Sequence, residues 1–263
     1  MRVLVLILIR ILLLLCRGAL LAAPAALADG WTQGPALAGP VQSGTSLVGF
    51  AMDGGAAQVD YVGSDGEIHA VSYDPSAGWE QSPALTGNGV ASGLTGFAFG
   101  TGASRTYFAS EADDDIYELS LNPSIGWAVS AALTSPVATG TSPSGFDFGS
   151  GAARIYSVEA DDSEIHELSY NPSNGWAVSA ALTPPVQAGT SPSGFDFGNG
   201  AVRVYFVAAA DGRIHELSYN PSNGWAVGAA LTPAVRAGSS PIGLDFGGGG
   251  STTWRPTTPR SMS

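Results

Sequence analysis

After residue 30, the chain alternates short apolar segments with clusters of Gly, Pro, Asn and Ser. In one copy of this pattern the apolar segments cover residues 176–182, 194–197, 202–207 and 213–219. Segments of this length, bounded by turn-forming residues, indicate β strands, because helices need longer periodic stretches and different end signals. The pattern therefore predicts an all-β protein made of short strands.

A Gly-Trp dipeptide marks a repeat in this pattern. Its tryptophans are spaced by 48, 48, 49 and 49 residues, at Trp31, Trp79, Trp127, Trp176 and Trp225. Four short strands in a repeat of roughly 45 residues are typical of a β-propeller blade, whereas helical repeats are nearer roughly 33 residues. The sequence predicts a β-propeller of four-stranded blades, with four full repeats and a partial fifth.

The two ends of the chain differ from the repeats. Residues 1–28 combine Arg2, an apolar stretch over residues 3–15 broken by Arg10, and the ending Ala26-Leu27-Ala28. This order is typical of a signal peptide cleaved after Ala28. An uncleaved anchor, or a lipoprotein modified at Cys16, fits less well, because leucine precedes that cysteine where a small residue is usual. We expect a secreted, extracellular protein with a propeller domain over residues 29–247, no membrane span in the mature chain, and a disordered tail over residues 248–263.

Charge and cysteine content exclude several functions. The chain has 22 acidic and ten basic residues, all of the basic ones arginine, and the leader contains three of the arginines. The mature chain would keep 22 acids against seven arginines, a net charge of −15. Such a surface repels phosphate backbones and anionic lipids, which argues against nucleic-acid binding. The only cysteine, Cys16, lies in the leader, so the mature chain would have no thiol for a disulfide, a metal or catalysis.

Three kinds of side chain recur at one place in the repeat. Arginine begins the third strand, tyrosine follows two residues later and glutamate thirteen residues after the arginine, at Arg105, Tyr107 and Glu118, Arg154, Tyr156 and Glu167, and Arg203, Tyr205 and Glu216. A four-residue hairpin loop would place Arg203 directly opposite Glu216, and a two-residue turn would place them four residues out of step. In both cases a cation, an anion and an aromatic ring share one face of the sheet.

Two interpretations of this triplet remain open from the residues alone. One is a cross-strand ion pair with a packing tyrosine, which duplication of the sequence would copy as faithfully as a functional site. The other is a sugar site, since a carboxylate accepts from neighbouring hydroxyls, a guanidinium donates to them and an aromatic face covers the apolar C–H patch of a hexose.

The full motif resembles a blade of the fucose-specific lectins of the Aleuria type. It comprises Thr-Ser-Pro-Ser-Gly-Phe-Asp-Phe-Gly from residue 190, Arg203-Val-Tyr, Ile214-His-Glu and Gly224-Trp, and the resemblance extends over residues 31–247. Those lectins are six-bladed propellers with sugar sites between adjacent blades. The resemblance implies that the arginine and glutamate of one blade bind L-fucose while an aromatic residue of the next blade stacks on it. The implied ligand-binding residues are Arg105, Glu118, Arg154, Glu167, Arg203, Glu216, Trp127, Trp176 and Trp225, although the tryptophans could instead pack between blades.

Departures from this motif limit the prediction. The first repeat has Gln58 and Ala70 in place of the arginine and glutamate, so we expect that copy to be structural. Six blades would need more repeats than this chain contains, which leaves open a fragment, a smaller ring, or homo-oligomers that complete a ring.

Other chemistry is not favoured. His69, His166 and His215 share one repeat position, and equivalent positions on different blades cannot converge on a metal. The acidic runs at residues 113–115 and 161–162 lack the alternating ligands of an EF-hand, so we interpret them as hairpin loops. No copy holds a distinct Ser, His and Asp set, and a catalytic pair would normally break the repeat symmetry. We predict a non-enzymatic lectin without cofactors that binds fucosylated glycans or glycoproteins. The alternative is a propeller scaffold for protein partners, and a propeller glycosidase is less favoured.

Overall fold

A computed structural model of the chain describes residues 35–87 and 89–243. The predicted signal peptide, Trp31 and the predicted tail lie outside these residues. The described part contains a 3₁₀ turn at Asp53–Gly55 and four antiparallel sheets of four strands each. Sheet 1 consists of β1 (Val48–Ala51), β2 (Ala57–Val62), β3 (Ile68–Asp74) and β4 (Gly78–Gln81). Sheet 2 consists of β5 (Thr95–Ala98), β6 (Ser104–Ala109), β7 (Ile116–Asn122) and β8 (Gly126–Val129).

The third and fourth sheets repeat this arrangement. Sheet 3 consists of β9 (Ser144–Gly149), β10 (Ala152–Val158), β11 (Ile165–Asn171) and β12 (Gly175–Val178), and sheet 4 of β13 (Ser193–Gly198), β14 (Ala201–Val207), β15 (Ile214–Asn220) and β16 (Gly224–Val227). In every sheet the strands pair in chain order. The prediction of an all-β propeller with four-stranded blades is confirmed. No helix among the described residues is long and apolar enough to cross a membrane.

The turn before each tryptophan decides where a sheet ends. Between β11 and β12, the side chain of Asn171 accepts from the backbone N–H of Ser173 at 2.9 Å, and Gly175 has φ of 74°, a conformation that glycine adopts without steric cost. This tight turn pairs Tyr170 with Trp176. Each Gly-Trp strand among the described residues is therefore the last strand of a sheet, so a repeat counted from tryptophan extends over parts of two sheets. The grouping of residues 176–182 with the three strands after them is corrected accordingly.

The core lies between the sheets. Each sheet has two faces. We call one the Arg face; in sheet 2 it carries Arg105, Tyr107 and Glu118. We call the other the Trp face; in sheet 3 it carries Tyr170 and Trp176. The Arg face of one sheet packs against the Trp face of the next. Between sheets 2 and 3, for example, the buried cluster consists of Phe97, Tyr107, Ala109, Ile116, Val137, Ala153, Ile155 and Leu168.

Recurring serines join the units near the first strand of each sheet. The backbone N–H of Gly93 donates to Ser142 Oγ, that of Ser142 to Ser191 Oγ and that of Ser191 to Ser240 Oγ, each at 2.9 Å. Donor and acceptor lie 49 residues apart in all three bonds, so these hydrogen bonds join consecutive repeats at equivalent positions. This regularity brings the repeated polar residues to equivalent places between sheets.

Candidate functional site

The hairpin register determines how the predicted arginine and glutamate meet. Six residues separate Val207 at the end of β14 from Ile214 at the start of β15, and the loop closes on itself through Ala208 N–H to Arg213 O at 3.0 Å. Tyr205 lies directly opposite Glu216, and Arg203 lies opposite Ser218. Both registers considered from the sequence are therefore wrong: arginine and glutamate are two residues out of step. They still share a face, because side chains alternate with a period of two.

All three predicted pairs form, with different geometry. Glu118 accepts from Arg105 Nη1 and, at 2.7 Å, from Tyr107 Oη. Glu167 accepts from Tyr156 Oη at 2.7 Å and lies 3.6 Å from Arg154 Nε.

In sheet 4, Arg203 Nε lies 3.3 Å from Glu216 Oε1. The exposed fraction of the glutamate side chain rises from 8% for Glu118 to 14% for Glu167 and 31% for Glu216. The first two glutamates thus lie in partly enclosed junctions, where their interactions are less screened by water.

Burial keeps the tyrosines neutral. The pKa of Tyr107 and that of Tyr156 are raised well above the usual value, first by burial and then by the charge of the adjacent glutamate. Burial alone would lower the pKa of Arg105, but its hydrogen bond to Glu118 and the charge of that carboxylate raise it. Each tyrosine therefore keeps its proton and donates to a carboxylate, and the arginine stays charged.

An aromatic wall from the following sheet faces two of the three pairs. Trp176 packs edge-on against Tyr107 with ring centroids 5.9 Å apart, and Trp225 packs in the same way against Tyr156 at 6.0 Å. Each tryptophan also contacts a tyrosine of its own sheet, Tyr170 or Tyr219, at 5.0 Å. The structure thus places Trp176 beside the Arg105 and Glu118 pair, and Trp225 beside the Arg154 and Glu167 pair.

Trp127 occupies the equivalent wall position between sheets 1 and 2, where the Arg face lacks both charged partners. It packs against the buried apolar cluster there. Gln58 is buried and donates to Asp60 Oδ1 at 2.8 Å, while Thr106 of the next sheet donates to Asp60 Oδ2. Burial raises the pKa of Asp60 to about 6. This junction is closed by its own polar groups, in keeping with the expectation that the first repeat is structural.

The third pair lacks a wall among the described residues. Arg203 Nη1 donates to the carbonyls of Val202 at 2.8 Å and Tyr219 at 3.2 Å, both in its own sheet. After sheet 4 the described residues extend to Gly243, whose N–H donates to Ser193 Oγ at 2.8 Å just as Gly194 donates to Ser144. This segment begins a further unit, but the described part of the chain supplies no tyrosine and tryptophan pair facing Arg203.

Two groups of site residues were missed from the sequence. The guanidinium of each arginine lies over a phenylalanine in the first strand of its own sheet or directly after it, at 4.2 Å for Phe99, 4.6 Å for Phe148 and 4.3 Å for Phe197. Such cation–π contacts orient the guanidinium. The second group is the wall tyrosines Tyr170 and Tyr219. The phenylalanines could have been found as the second phenylalanine of the recurring Gly-Phe-x-Phe-Gly. The tyrosines could have been found as the last aromatic residue of β11 and β15, at a position where sheet 2 has Leu121 instead.

The junction between sheets 3 and 4 contains a cleft of about 100 Å³. It is lined by Arg154, Glu167, Val202, Tyr219 and Trp225. One side of the cleft offers a cation and an anion, and the other offers two aromatic rings and an isopropyl group. A ligand with hydroxyls on one face and C–H groups on the other would complement both sides.

The histidines and acidic residues do not form a metal centre in the described part of the chain, where no cluster of three or more suitable ligands occurs. Each histidine instead contacts the aspartate of its own hairpin, with Nε2 to carboxylate distances of 3.0 Å in His69, 2.9 Å in His166 and 3.2 Å in His215. They lie on different sheets, as the repeat spacing implied.

Comparison with known proteins relates this arrangement to solved lectins. No family model and no curated protein sequence matches the chain. Among solved structures, the six-bladed fungal lectin of Aleuria aurantia, described by its fucose recognition mode, matches with a TM-score of 0.59 and 21% identity, covering 74% of this chain and 65% of that one. SapL1 lectin in complex with α-methyl fucoside matches with a TM-score of 0.57 and 21% identity, covering 69% of this chain and 61% of that one.

AofleA from Arthrobotrys oligospora matches with a TM-score of 0.62 and 18% identity, covering 77% of this chain and 61% of that one. The chain therefore spans about three fifths of the length of these structures. At such identities the likeness establishes the fold, and the resemblance to fucose-specific propeller lectins noted from the sequence is confirmed at that level.

Proposed function

We propose that this protein is a secreted, non-catalytic lectin that binds L-fucose at the junction between sheets 2 and 3 and at the junction between sheets 3 and 4. The observation that carries the proposal is the convergence of two sheets on one cleft: Arg154 and Glu167 come from sheet 3, and Tyr219 and Trp225 from sheet 4. An ion pair needed only for sheet stability would not require an open cleft with an aromatic wall.

Each group has a distinct role in the proposed site. Glu167 accepts hydrogen bonds from two adjacent sugar hydroxyls, and Tyr156 keeps the carboxylate oriented through its hydroxyl. Arg154, whose guanidinium packs over the ring of Phe148, donates to a hydroxyl or ring oxygen of the sugar. Trp225 and Tyr219 cover the C–H face of the sugar. None of these groups needs to transfer a proton or attack a bond, so the site binds without catalysis.

Titration with free sugar tests the proposal. L-fucose should bind the native protein and D-glucose should not, and Glu118→Ala and Glu167→Ala should each weaken one site. The expected loss is about 2 to 3 kcal/mol at the altered site, because hydrogen bonds to a charged group are removed. Glu164→Ala removes a half-buried carboxylate in the hairpin between β10 and β11, outside the residues that line the cleft, and is the matched control. If the native protein does not bind fucose, the protein is instead a scaffold for protein partners. If the native protein and both glutamate variants bind fucose equally, these glutamates do not form the site.

The partners would be fucosylated glycans or glycoproteins, reached outside the cell. We propose that residues 1–28 direct export and are cleaved near Ala28, because they combine a basic start, an apolar stretch and an Ala-x-Ala ending. Mass spectrometry of the protein recovered from culture medium should then give a first residue of Asp29. A first residue of Met1 would contradict this proposal.

A further inference from the structure

Arg105 and Arg154 occupy equivalent positions but adopt different conformations. The Arg105 guanidinium lies between two rings, 4.2 Å from Phe99, which directly follows β5, and 5.1 Å from Tyr170 of the next sheet. One of its terminal nitrogens also contacts Glu118. Arg105 therefore bridges the junction and contacts the wall on which a sugar would stack.

Arg154 remains on its own sheet. Its guanidinium lies 4.6 Å from Phe148, and its Nη1 donates to the carbonyl of Ala153 at 3.2 Å. The cleft lined by Arg154, Tyr219 and Trp225 lies between this guanidinium and the wall. The conformation of Arg154 leaves room for a ligand.

Arg203 shows the conformation that the arginine adopts without a contact across the junction. No wall faces it in the described part of the chain, and its Nη1 likewise donates to the preceding carbonyl, that of Val202, at 2.8 Å. Its guanidinium lies over Phe197 at 4.3 Å. Arg154 thus resembles an arginine without a wall contact, and Arg105 departs from that conformation because it reaches Tyr170.

The opposing walls of the two junctions differ beside the wall tyrosine. Both walls have a tyrosine and a tryptophan, but the residue that pairs with the tyrosine on the second strand of the sheet is Ala153, beside Tyr170, in sheet 3 and Val202, beside Tyr219, in sheet 4. Ala153 and Val202 are both fully buried, with 0% and 1% of their surface exposed. Val202 lines the cleft and adds two methyl groups to it.

We propose that Val202 raises the affinity of the cleft between sheets 3 and 4 for sugar, because it keeps Arg154 away from Tyr219. At the junction between sheets 2 and 3, the smaller Ala153 allows Arg105 to pack onto Tyr170, so that Arg105 itself obstructs the site. This inference rests on the proposed sugar-binding function. A ligand at the junction between sheets 2 and 3 must first separate Arg105 from Tyr170, whereas the cleft between sheets 3 and 4 is ready to receive it. We expect the former site to bind L-fucose about tenfold more weakly, which corresponds to about 1.4 kcal/mol.

Single-site proteins make the two affinities measurable by calorimetric titration with L-fucose. Glu118→Ala leaves the cleft between sheets 3 and 4, and Glu167→Ala leaves the junction between sheets 2 and 3. The first protein should bind about tenfold more tightly than the second. Adding Val202→Ala to the first should weaken binding by about that factor, and adding Ala153→Val to the second should strengthen it.

Two controls separate this positioning role from a general effect on folding. Val202→Thr keeps the branched shape and should retain the affinity that Val202→Ala loses, although both variants reduce apolar burial. Ala153→Ser keeps a small side chain and should leave unchanged the affinity that Ala153→Val raises; if Ala153→Val fails to fold, the two Val202 variants still test the role of Val202.

The outcomes distinguish this inference from the proposed function. Equal affinities in the two single-site proteins, or affinities unchanged by the exchange of alanine and valine, would overturn the role of Val202 and leave the lectin proposal standing. Absence of fucose binding in the native protein would overturn both.

Discussion

The junction between sheets 1 and 2 and the junction between sheets 3 and 4 use the same backbone positions for opposite purposes. In the first, Gln58, Asp60 and Thr106 bond to one another across the sheets and are fully buried. In the second, the positions of Gln58 and Asp60 are taken by Arg154 and Tyr156, and a cleft of about 100 Å³ remains beside them. A junction between two sheets is therefore purely structural when its polar groups are hydrogen-bonded to one another. It is a candidate binding site when long charged side chains stay partly accessible.

The largest predicted effect concerns the closed junction. Burial raises the pKa of Asp60 to about 6 from 3.8, so between these values the unfolded chain loses its proton while the folded chain keeps it. The free energy of unfolding should fall as pH rises through this window, by about 3 kcal/mol in all. Asp60→Asn should remove this dependence and stabilise the protein at pH 7.

Denaturant unfolding between pH 4 and pH 7 checks this prediction. Asp53→Asn, at an exposed carboxylate in the turn between β1 and β2, should leave the pH dependence unchanged. A less stable Asp60→Asn protein at pH 7 would mean that the ionised carboxylate contributes more through its bonds than its burial costs.

The tryptophans should separate the two junctions by function. Trp225→Ala removes the wall of the open cleft, so we expect binding of L-fucose there to weaken by about 1.5 kcal/mol, roughly tenfold. Trp127→Ala removes the equivalent ring from the closed junction and should lower stability without changing sugar binding. Titration and thermal unfolding of both variants test this difference, and it would be refuted by equal losses of sugar binding.

A smaller effect should come from the tyrosine hydroxyl that supports Glu167. Tyr156→Phe removes the 2.7 Å hydrogen bond to that carboxylate while keeping the ring against Trp225. We expect binding at this cleft to weaken by about 1 kcal/mol. Tyr61→Phe in sheet 1 removes a hydroxyl that accepts from Gln81 away from either cleft, and it should leave the titration unchanged.

The smallest effect compares the hairpins of sheets 2 and 3. His166 donates toward Asp162 and the carbonyl of Ser179. Burial would lower the pKa of His166, but these two hydrogen bonds and the charges of Glu159 and Asp162 together raise it. Its contribution to stability is full below the unfolded pKa and is lost as pH rises through the folded one. At the position equivalent to His166, sheet 2 has Tyr117, whose hydroxyl donates to Asp113 Oδ2 at 2.8 Å.

His166→Tyr should therefore remove a pH-dependent contribution on the order of 0.5 kcal/mol, since this end of the sheet is partly solvated. Unfolding of the variant and the native protein between pH 6 and pH 9 measures it. Identical pH dependence of the two proteins would contradict the assignment.

Much of the fold could be predicted because the repeat is local in origin. The spacing of the Gly-Trp dipeptides indicated four-stranded blades, and the turn residues located the strands. The hairpin register could not be derived, since the loop of residues 208–213 closes through backbone hydrogen bonds that its residue types do not specify. The assignment of each described tryptophan strand to the preceding sheet also required the structure, because the repeat spacing does not show which neighbouring strand it pairs with.

The sequence by itself determined which side chains each unit carries and that arginine, tyrosine and glutamate share a face, because strand periodicity depends only on the order of residues. Only the tertiary structure decided what faces them. Tyr170 of the next sheet, 65 residues along the chain, meets Arg105, and Trp176 of that sheet meets Tyr107. Whether Arg105 closes onto that wall or Arg154 leaves a cleft depends on packing between sheets, where the difference between Ala153 and Val202 acts through space rather than along the chain.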